Sequence, residues 1–201
     1  MPYSAEHKRQ ARKKIVEAAR ILFNRHGFEN VTIDQIMDSA GLTRGGFYSH
    51  FENKQALYGE AVASFLMGRG AQWRDNAGVN IQSPSPEMVQ NMIKSYLSDE
   101  HLGDLDGQCP MIALSSDAAR ADDDVRTAYQ GLLESMIWLF EQCFGTDEPD
   151  RRQRALTLSA LCVGGMTLAR TLPDKSLAKE LREAALQEAG RIQSGAAAPS
   201  G

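Results

Sequence analysis

Apolar residues recur at helical spacing along most of the chain, and no segment shows the alternation that is typical of a β-strand. Near the N-terminus, for example, Ile15, Ala19 and Phe23 follow one another every four residues and give a helix one apolar face. The same spacing returns between glycine, proline and acidic stretches until about residue 192. The sequence therefore predicts an all-α protein of about nine helices, over residues 6–26, 33–40, 44–50, 54–73, 87–99, 110–119, 122–144, 149–172 and 175–192.

The second and third predicted helices are short and are joined at a glycine. Thr32 is a good N-cap, and Gln35 follows three residues later, which is the spacing of a capping box. Gly41 can adopt the left-handed conformation that ends many helices, and Thr43 can cap the next one. Two short helices joined in this way predict a helix-turn-helix, whose second helix enters the major groove of DNA.

The second helix of this pair is weak by intrinsic propensity. Gly45 and Gly46 each cost about 1 kcal/mol relative to alanine inside a helix, so Phe47 and Phe51, one turn apart, must anchor it. A surface without side chains lets the backbone approach a base or a phosphate closely. The surrounding side chains can all donate hydrogen bonds, namely Thr43, Arg44, Tyr48, Ser49 and His50. The alternative is an amphipathic connector with a solvated polar face.

The pattern is carried by Thr32, Ile36, Ala40-Gly41, Thr43, Phe47-Tyr48, His50-Phe51 and Lys54, preceded by Ile15, Ala18, Ala19, Leu22, Phe23 and Gly27-Phe28. As a set these residues resemble the DNA-binding signature of the TetR (tetracycline-repressor-like) family of transcriptional regulators, over roughly the first 60 residues. The resemblance implies a three-helix helix-turn-helix domain over residues 1–53. It also implies a helical-bundle domain for ligand binding and dimerisation over residues 54–192. This second part resembles the family only in being helical and of suitable length.

The resemblance also suggests roles for individual residues on double-stranded DNA. Arg44 is the candidate for a base contact, ideally to O6 and N7 of guanine. Thr43 is expected to contact a base or a phosphate, and Gly45 to allow close approach. Contacts to phosphates, which fix the docking register without reading sequence, are expected from Thr32, Tyr48, His50 and Lys54.

Charge is distributed unevenly along the chain. Residues 1–54 hold nine Lys and Arg against six Asp and Glu, a net of +3, whereas the other 147 residues hold thirteen against twenty, a net of −7. A basic end on an acidic protein favours nucleic acid as the partner of that end, and argues against binding to a membrane surface. The basic residues nearest the N-terminus suggest a phosphate-contacting arm, with a solvated helix end as the alternative: Lys8, Arg9, Arg12, Lys13 and Lys14.

Composition excludes several other classes of protein. A chain of 201 residues with 42% hydrophobic residues can bury a sizeable core, yet it has neither an apolar stretch long enough for a membrane span nor a secretory signal. Its three cysteines are too few and too scattered for a disulfide framework or a zinc site, which favours a reduced, cytoplasmic protein. We find no phosphate-binding loop, nucleophile elbow or paired-histidine motif, so we expect no enzyme activity, no cofactor and no metal.

The second predicted domain has two expected functions. The last two long helices are rich in small and apolar residues, which can pair across a homodimer or fill an intramolecular core. The resemblance favours the dimer, which suits a palindromic operator. It also implies a small-molecule effector, whose identity the sequence does not reveal. The candidate lining residues are apolar or aromatic and fit an ordinary core equally well, namely Phe65, Met88, Met92, Tyr96, Met111, Trp138 and Met166.

Cys109 supports a further hypothesis. It precedes a predicted helix in a glycine-containing loop, where a thiol pKa can be lowered. Family members that sense electrophiles or oxidants through cysteine make such a role possible here, although Asp104 and Asp106 disfavour a thiolate and a lone cysteine is commonly buried.

The sequence thus predicts a ligand-responsive homodimeric repressor, with a thiol-sensing repressor or a dimeric module that does not bind DNA as alternatives. Residues 193–201 are expected to form a disordered tail.

Overall fold

The computed structural model describes residues 5–83, 85–142, 144–145 and 147–195. Over these residues the chain forms eleven α-helices and one 3-10 helix, and no β-strand. The predicted all-α fold is therefore confirmed. In chain order the elements are α1 (Ala5–His26), α2 (Ile33–Ser39), the 3-10 helix η1 (Arg44–Ser49), α3 (Lys54–Met67), α4 (Arg69–Asn76), α5 (Pro86–Tyr96), α6 (Asp99–Gly103), α7 (Pro110–Ala113), α8 (Ser115–Arg120), α9 (Asp123–Glu141), α10 (Arg151–Thr171) and α11 (Lys175–Ser194).

Two predicted helices are interrupted, and a further helix, α6, lies mostly between the helices predicted over 87–99 and 110–119, so the structure has more helices than the sequence predicts. The helix predicted over residues 54–73 breaks at Gly68, where φ is −103° and ψ is −107°. A Cβ atom at this position would lie 2.9 Å from the carbonyl oxygen of Ser64. Because that separation is too short for a real Cβ, only glycine fits here without a shift of the backbone. The helix predicted over 110–119 is likewise divided at Leu114 into α7 and α8.

The described residues up to Gly68 and the segment Leu105–Gly131 form one compact unit. Helix α1 packs against both α2 and α3 within it. Phe23 on α1, Phe28 in the following loop and Tyr58 on α3 form an aromatic cluster, with ring centroids between 4.7 and 5.6 Å apart. The cluster fixes the start of the helix-turn-helix segment against the two longer helices of the unit.

Polar contacts attach the segment Leu105–Gly131 to α1 and to the loop after it. The side-chain amide of Asn24 donates to the carbonyl oxygen of Gln108 at 2.9 Å. The carboxylate of Asp117 accepts a hydrogen bond from the backbone N–H of Phe28, also at 2.9 Å. This segment therefore folds with the N-terminal helices, although more than 35 residues separate it from α3 in the sequence.

The second compact unit consists of the described residues within Arg69–Asp104 and from Leu132 to Gly195. Helices α10 and α11 pack together and α5 packs against both. Helix α10 approaches α11 closely at Gly165, where a Cβ atom would lie 3.2 Å from the Cβ of Ala185. Arg182 on α11 is buried, pairs with Asp99 and donates to the carbonyl oxygen of Leu97 at 2.8 Å. The guanidinium thus ties α11 to the end of α5 and the start of α6.

The predicted functional division, 1–53 for DNA binding and 54–192 for effector binding and dimerisation, remains a prediction, because compact units and functions need not coincide. Helix α11 continues through Ser194, two residues beyond its predicted end, and Gly195 caps it in the left-handed conformation with φ of 68°. The rest of the predicted tail, residues 196–201, lies outside the described residues. Of the helices in the described ranges, none combines the length and apolar character required to cross a bilayer.

Candidate DNA-binding surface

The first helix of the predicted helix-turn-helix begins at the predicted cap. The Thr32 hydroxyl accepts from the N–H of Gln35 at 3.2 Å, and the Gln35 side chain accepts from the N–H of Thr32 at 2.8 Å. Ile36 and Met37 are buried and hold α2 against the unit. The predicted capping box is therefore present, and it fixes the position at which α2 begins.

The turn after α2 depends on Gly41. Its φ is 68°, in the left-handed region that favours glycine, and the space around its Cβ position is open within 4 Å. Backbone conformation, rather than crowding, is therefore the reason for glycine here. The N–H of Leu42 closes the turn by donating to the carbonyl oxygen of Met37 at 2.9 Å.

The predicted second helix forms a 3-10 helix, η1, whereas the sequence suggested an ordinary helix from Thr43 to His50. Hydrogen bonds from the N–H of Gly46 to Thr43 and from the N–H of His50 to Phe47, both 2.9 Å long, give the tighter winding. Two glycines in a six-residue segment provide little α-helical propensity, so packing determines its shape. Phe47 and Phe51, with 0% and 4% of their surface exposed, anchor η1 as predicted.

The outer side of η1 presents four of the residues that the sequence predicts to lie against DNA. Thr43, Arg44 and Gly45 are exposed, and Tyr48 is 62% exposed with its ring edge against Phe47. No atom comes within 4 Å of a Cβ position at Gly45, so nothing in the described chain explains the glycine. Thr43 occupies the N-cap position of η1, but its side chain makes no capping hydrogen bond there. This hydroxyl is therefore not used to start the helix.

Arg44 has a partner that the sequence analysis did not identify. Its Nη1 donates to Oδ2 of Asp34 on α2 at 2.6 Å. Both side chains lie on the surface, with 65% and 49% of their area exposed. The first turn of α2 and the first residue of η1 are thus joined by an ion pair beside the candidate base-reading position.

His50 lies at the end of η1 and is half-buried. Burial, together with the positive charges of Lys8 and Arg12, holds the pKa of its imidazole below the ordinary value of 6.5. Arg12 also donates a hydrogen bond to the backbone carbonyl of His50. At neutral pH the ring is therefore uncharged, and it can offer a phosphate one N–H donor but no formal charge.

Lys54 is predicted from the sequence to contact a phosphate, but in the structure its side chain binds groups within the first compact unit. Its Nζ donates to the carbonyl oxygens of Phe28 and Val31 at 2.8 and 2.9 Å, and lies 4.0 Å from the ring centroid of Phe28. Burial lowers the pKa of its ammonium. Lys54 therefore braces the loop before α2 against the start of α3. Its expected phosphate contact remains a prediction.

The basic residues near the N-terminus do not all face outward. Arg12 pairs with Glu60 on α3, and its guanidinium carbon lies 4.0 Å from the ring centroid of Phe51. Arg9 pairs with Glu6 on the same helix. The exposed lysines of this group are Lys8, Lys13 and Lys14. The predicted arm is thus made mainly of lysines, while Arg12 fixes α1 to α3 and η1.

The effector candidates are divided between the two compact units. Phe65 and Met111 belong to the first, and the other five to the second. In the second, Trp138 is 48% exposed, which separates it from the buried candidates of that unit, Met88, Tyr96 and Met166. Met92 is half-buried, and with Met88 and Tyr96 it lies on α5.

Cys109 lies at the N-cap position of α7 as predicted, but only 2% of its surface is exposed. The sensing hypothesis requires a thiol that reagents can reach, so the structure does not favour it. Within the described residues, no group of three or more His, Cys, Asp or Glu side chains is arranged to hold a metal ion.

The segment that carries this surface is similar to known proteins. The model of the bacterial regulatory proteins of the tetR family matches residues 15–61. Among curated proteins, an uncharacterized HTH-type transcriptional regulator (YfiR) from Bacillus subtilis is 33% identical over 94 residues, which is 47% of this chain and 42% of that protein. A probable repressor of the acrEF/envCD operon from Escherichia coli is 41% identical over 51 residues, 25% of this chain and 23% of that protein. The matches thus span less than half the length of these relatives.

A solved structure extends the similarity to the whole fold. It is a transcriptional regulator of the TetR family from Cytophaga hutchinsonii, with a TM-score of 0.78, 18% sequence identity, and coverage of 94% of this chain and 95% of that one. At this identity the match concerns the fold alone. The first compact unit contains the segment that the family model matches. The rest of the chain has the same fold as the corresponding part of the solved structure.

Proposed function

We propose that this chain, whose residues 15–61 match the tetR family of bacterial regulatory proteins, is a homodimeric repressor of that family that binds a palindromic operator and is released by a small molecule. One observation carries the DNA-binding part of this proposal. A short helix, η1, is anchored by buried Phe47 and Phe51 and exposes Thr43, Arg44 and Tyr48. Recognition of base pairs in the major groove requires hydrogen-bond donors that are held in place on an anchored helix.

The proposed complex with DNA contains two kinds of contact, one to bases and one to phosphates. Arg44 reads a guanine through two N–H groups, while Gly45 lets the backbone of η1 come close to the bases and Thr43 contacts a base or a phosphate. Tyr48 and His50 lie at the side and the end of the same motif and donate to phosphates. A phosphate contact from Thr32 requires its hydroxyl to turn away from the side chain of Gln35, to which it donates at 3.0 Å. The exposed lysines of α1 add sequence-independent affinity, because each neutralised phosphate releases counterions.

Two adjacent glycines on α10 support dimerisation through this helix. Gly165 is explained inside the subunit, because it faces Ala185. Gly164 has no atom within 4 Å of its Cβ position, so nothing in the described chain requires a glycine there. It belongs to a stripe with exposed Leu156, Ala160 and Leu168, spaced every four residues. A second subunit packed on this stripe would explain both the missing side chain and the exposed leucines.

Effector response is proposed for the second compact unit. Met88 and Tyr96 on α5 and Met166 on α10 are buried apolar or aromatic side chains on two helices that pack together, which suits an adaptable site for an apolar molecule. The effector acts by binding more tightly to a dimer whose recognition helices no longer match half-sites about 34–36 Å apart. The two alternatives are not favoured, because the chain carries the DNA-binding motif of its family and Cys109 is buried.

The test is selection from a random pool of duplex DNA with the purified protein at about 0.15 M salt, followed by sequencing of the retained molecules. A palindromic site supports the proposal, and its half-site spacing gives the geometry of the dimer. Retention without sequence enrichment, at any salt concentration that still permits binding, contradicts it.

A further inference from the structure

The ion pair between Asp34 and Arg44 has an unusual place for an acidic side chain. It lies on the surface that carries Thr43, Gly45 and Tyr48, where a carboxylate would repel the phosphates of an approaching duplex. Exposed ion pairs add little to folding stability. Repulsion without a gain in stability therefore suggests that Asp34 has another role on this surface.

The geometry of the pair leaves the reading edge of Arg44 available. Within the described residues, Nη1 is the atom of the guanidinium that forms a hydrogen bond, and its acceptor is Oδ2 of Asp34. A guanidinium has five N–H donors in a planar fork, so a second edge remains for the two acceptors of a guanine. Because a carboxylate on a different helix restrains the guanidinium, less of its conformational freedom has to be lost when DNA binds.

From this juxtaposition we propose that Asp34 is a positioning residue, which holds the guanidinium of Arg44 in the orientation that reads guanine and so sets the specificity of the motif. The inference rests on the proposed function, because it requires a DNA duplex in contact with η1. Asp34 itself touches no base in this arrangement. It acts by removing the other orientations of Arg44, in which the side chain would reach a phosphate and lose its preference for sequence.

Asp38 provides a charge-matched control. It lies one turn after Asp34 on α2, is exposed, and has the same charge. Asp34→Asn and Asp38→Asn each remove one negative charge from α2, so both should bind a random duplex somewhat more tightly. Only Asp34→Asn removes the charged partner of Arg44, because it leaves an uncharged amide whose oxygen is a weaker acceptor. A role in helix stability alone, as an acidic residue in the first turn, predicts no effect on base preference.

The experiment compares wild type, Asp34→Asn, Asp38→Asn, Arg44→Ala and the double variant Asp34→Asn/Arg44→Ala. Each full-length protein is titrated with three kinds of duplex. The first is the site enriched by wild type, and the third is a random duplex. The second carries each of the three substitutions at the base pair for which Arg44→Ala loses its preference. We expect Asp34→Asn to reduce discrimination at that base pair about tenfold, and Asp38→Asn by less than about twofold. The double variant should discriminate no worse than Arg44→Ala, because the two residues act as one unit.

The outcomes separate this inference from the function on which it rests. If wild type selects a site but Asp34→Asn discriminates as well as Asp38→Asn, positioning is wrong while DNA binding stands. A loss at a different base pair also overturns it, since Asp34 would then accept directly from a cytosine. If wild type selects no site, the proposed function fails and the inference fails with it. Circular dichroism of each variant tests whether it is folded.

Discussion

The adjacent glycines of α10 allow dimerisation to be tested with a perturbation that leaves the subunit intact. We consider Gly164→Leu, in which a side chain is added where the Cβ position has no neighbour within 4 Å. In an isolated subunit this leucine would point into open space and would gain up to about 1 kcal/mol from better helix propensity. By contrast, Gly165→Ala would place a Cβ atom 3.2 Å from that of Ala185, and such overpacking costs about 1–3 kcal/mol.

The magnitude expected for a dimer follows from symmetry. An isologous interface contains each substitution twice, so overpacking of about 1–3 kcal/mol per leucine amounts to at least about 2 kcal/mol per dimer. A loss of about 2 kcal/mol raises the dissociation constant of the dimer roughly thirtyfold. Gly164→Leu should therefore give folded monomers at concentrations where wild type is dimeric, whereas Gly165→Ala should lower the stability of the subunit itself.

Sedimentation equilibrium over a range of protein concentrations measures the dissociation constant, and circular dichroism confirms folding. Gly190→Leu is the matched control, because Gly190 on α11 is also open around its Cβ position but lies beside exposed polar residues, Glu183 and Gln187. An unchanged dissociation constant for Gly164→Leu would refute the reasoning, and so would a wild type that remains monomeric throughout. If Gly190→Leu dissociates the dimer equally, the interface lies elsewhere on the helix pair.

Three further predictions concern the DNA-binding surface. Gly45→Ala should leave the free energy of unfolding unchanged or raise it by up to about 1 kcal/mol while weakening operator binding; equal operator affinity in a titration would contradict close approach at Gly45. Lys54→Met should lower the free energy of unfolding by about 1–2 kcal/mol, because it removes two charge-assisted hydrogen bonds to carbonyl groups. Urea titration measures this loss, and the control is the exposed Lys13→Met, which should leave the free energy of unfolding unchanged. The pKa of His50 lies below 6.5 in the free protein, and a bound phosphate would raise it. DNA binding should therefore take up a proton, so that affinity rises as pH falls from about 7 toward 5, and an equal rise in His50→Gln would exclude this histidine as the source.

The helix-turn-helix was predictable because its signals are local. The capping box of Thr32, the left-handed Gly41 and the anchors Phe47 and Phe51 each act over a few residues, and the structure has all of them. The 3-10 winding of η1 was not predicted, since the pattern of apolar residues separates a 3-10 helix poorly from one or two α-turns. The same limit explains the break at Gly68, which depends on the carbonyl oxygen of Ser64.

Partners distant in sequence were missed for a different reason. The sequence does not indicate whether a charged side chain faces solvent or pairs with a group many positions away. Arg12 is 48 positions from Glu60, and Lys54 is 26 and 23 positions from its two acceptors. The attachment of Leu105–Gly131 to α1 through Asn24 is another contact of this kind. Fold class and motif were thus accessible from the sequence, whereas the roles of particular charges were not.

The use of Arg12 and Lys54 inside the subunit changes how the positive end of the chain should be understood. Its net charge of +3 counts these two side chains as though they were available to DNA. Instead, they hold α1, η1 and the loop before α2 in place. The loss of either would therefore weaken DNA binding through geometry as well as through charge. Exposed lysines such as Lys13 lack that structural role, so a difference in salt dependence between Lys13 and Lys54 variants separates a phosphate contact from a structural brace.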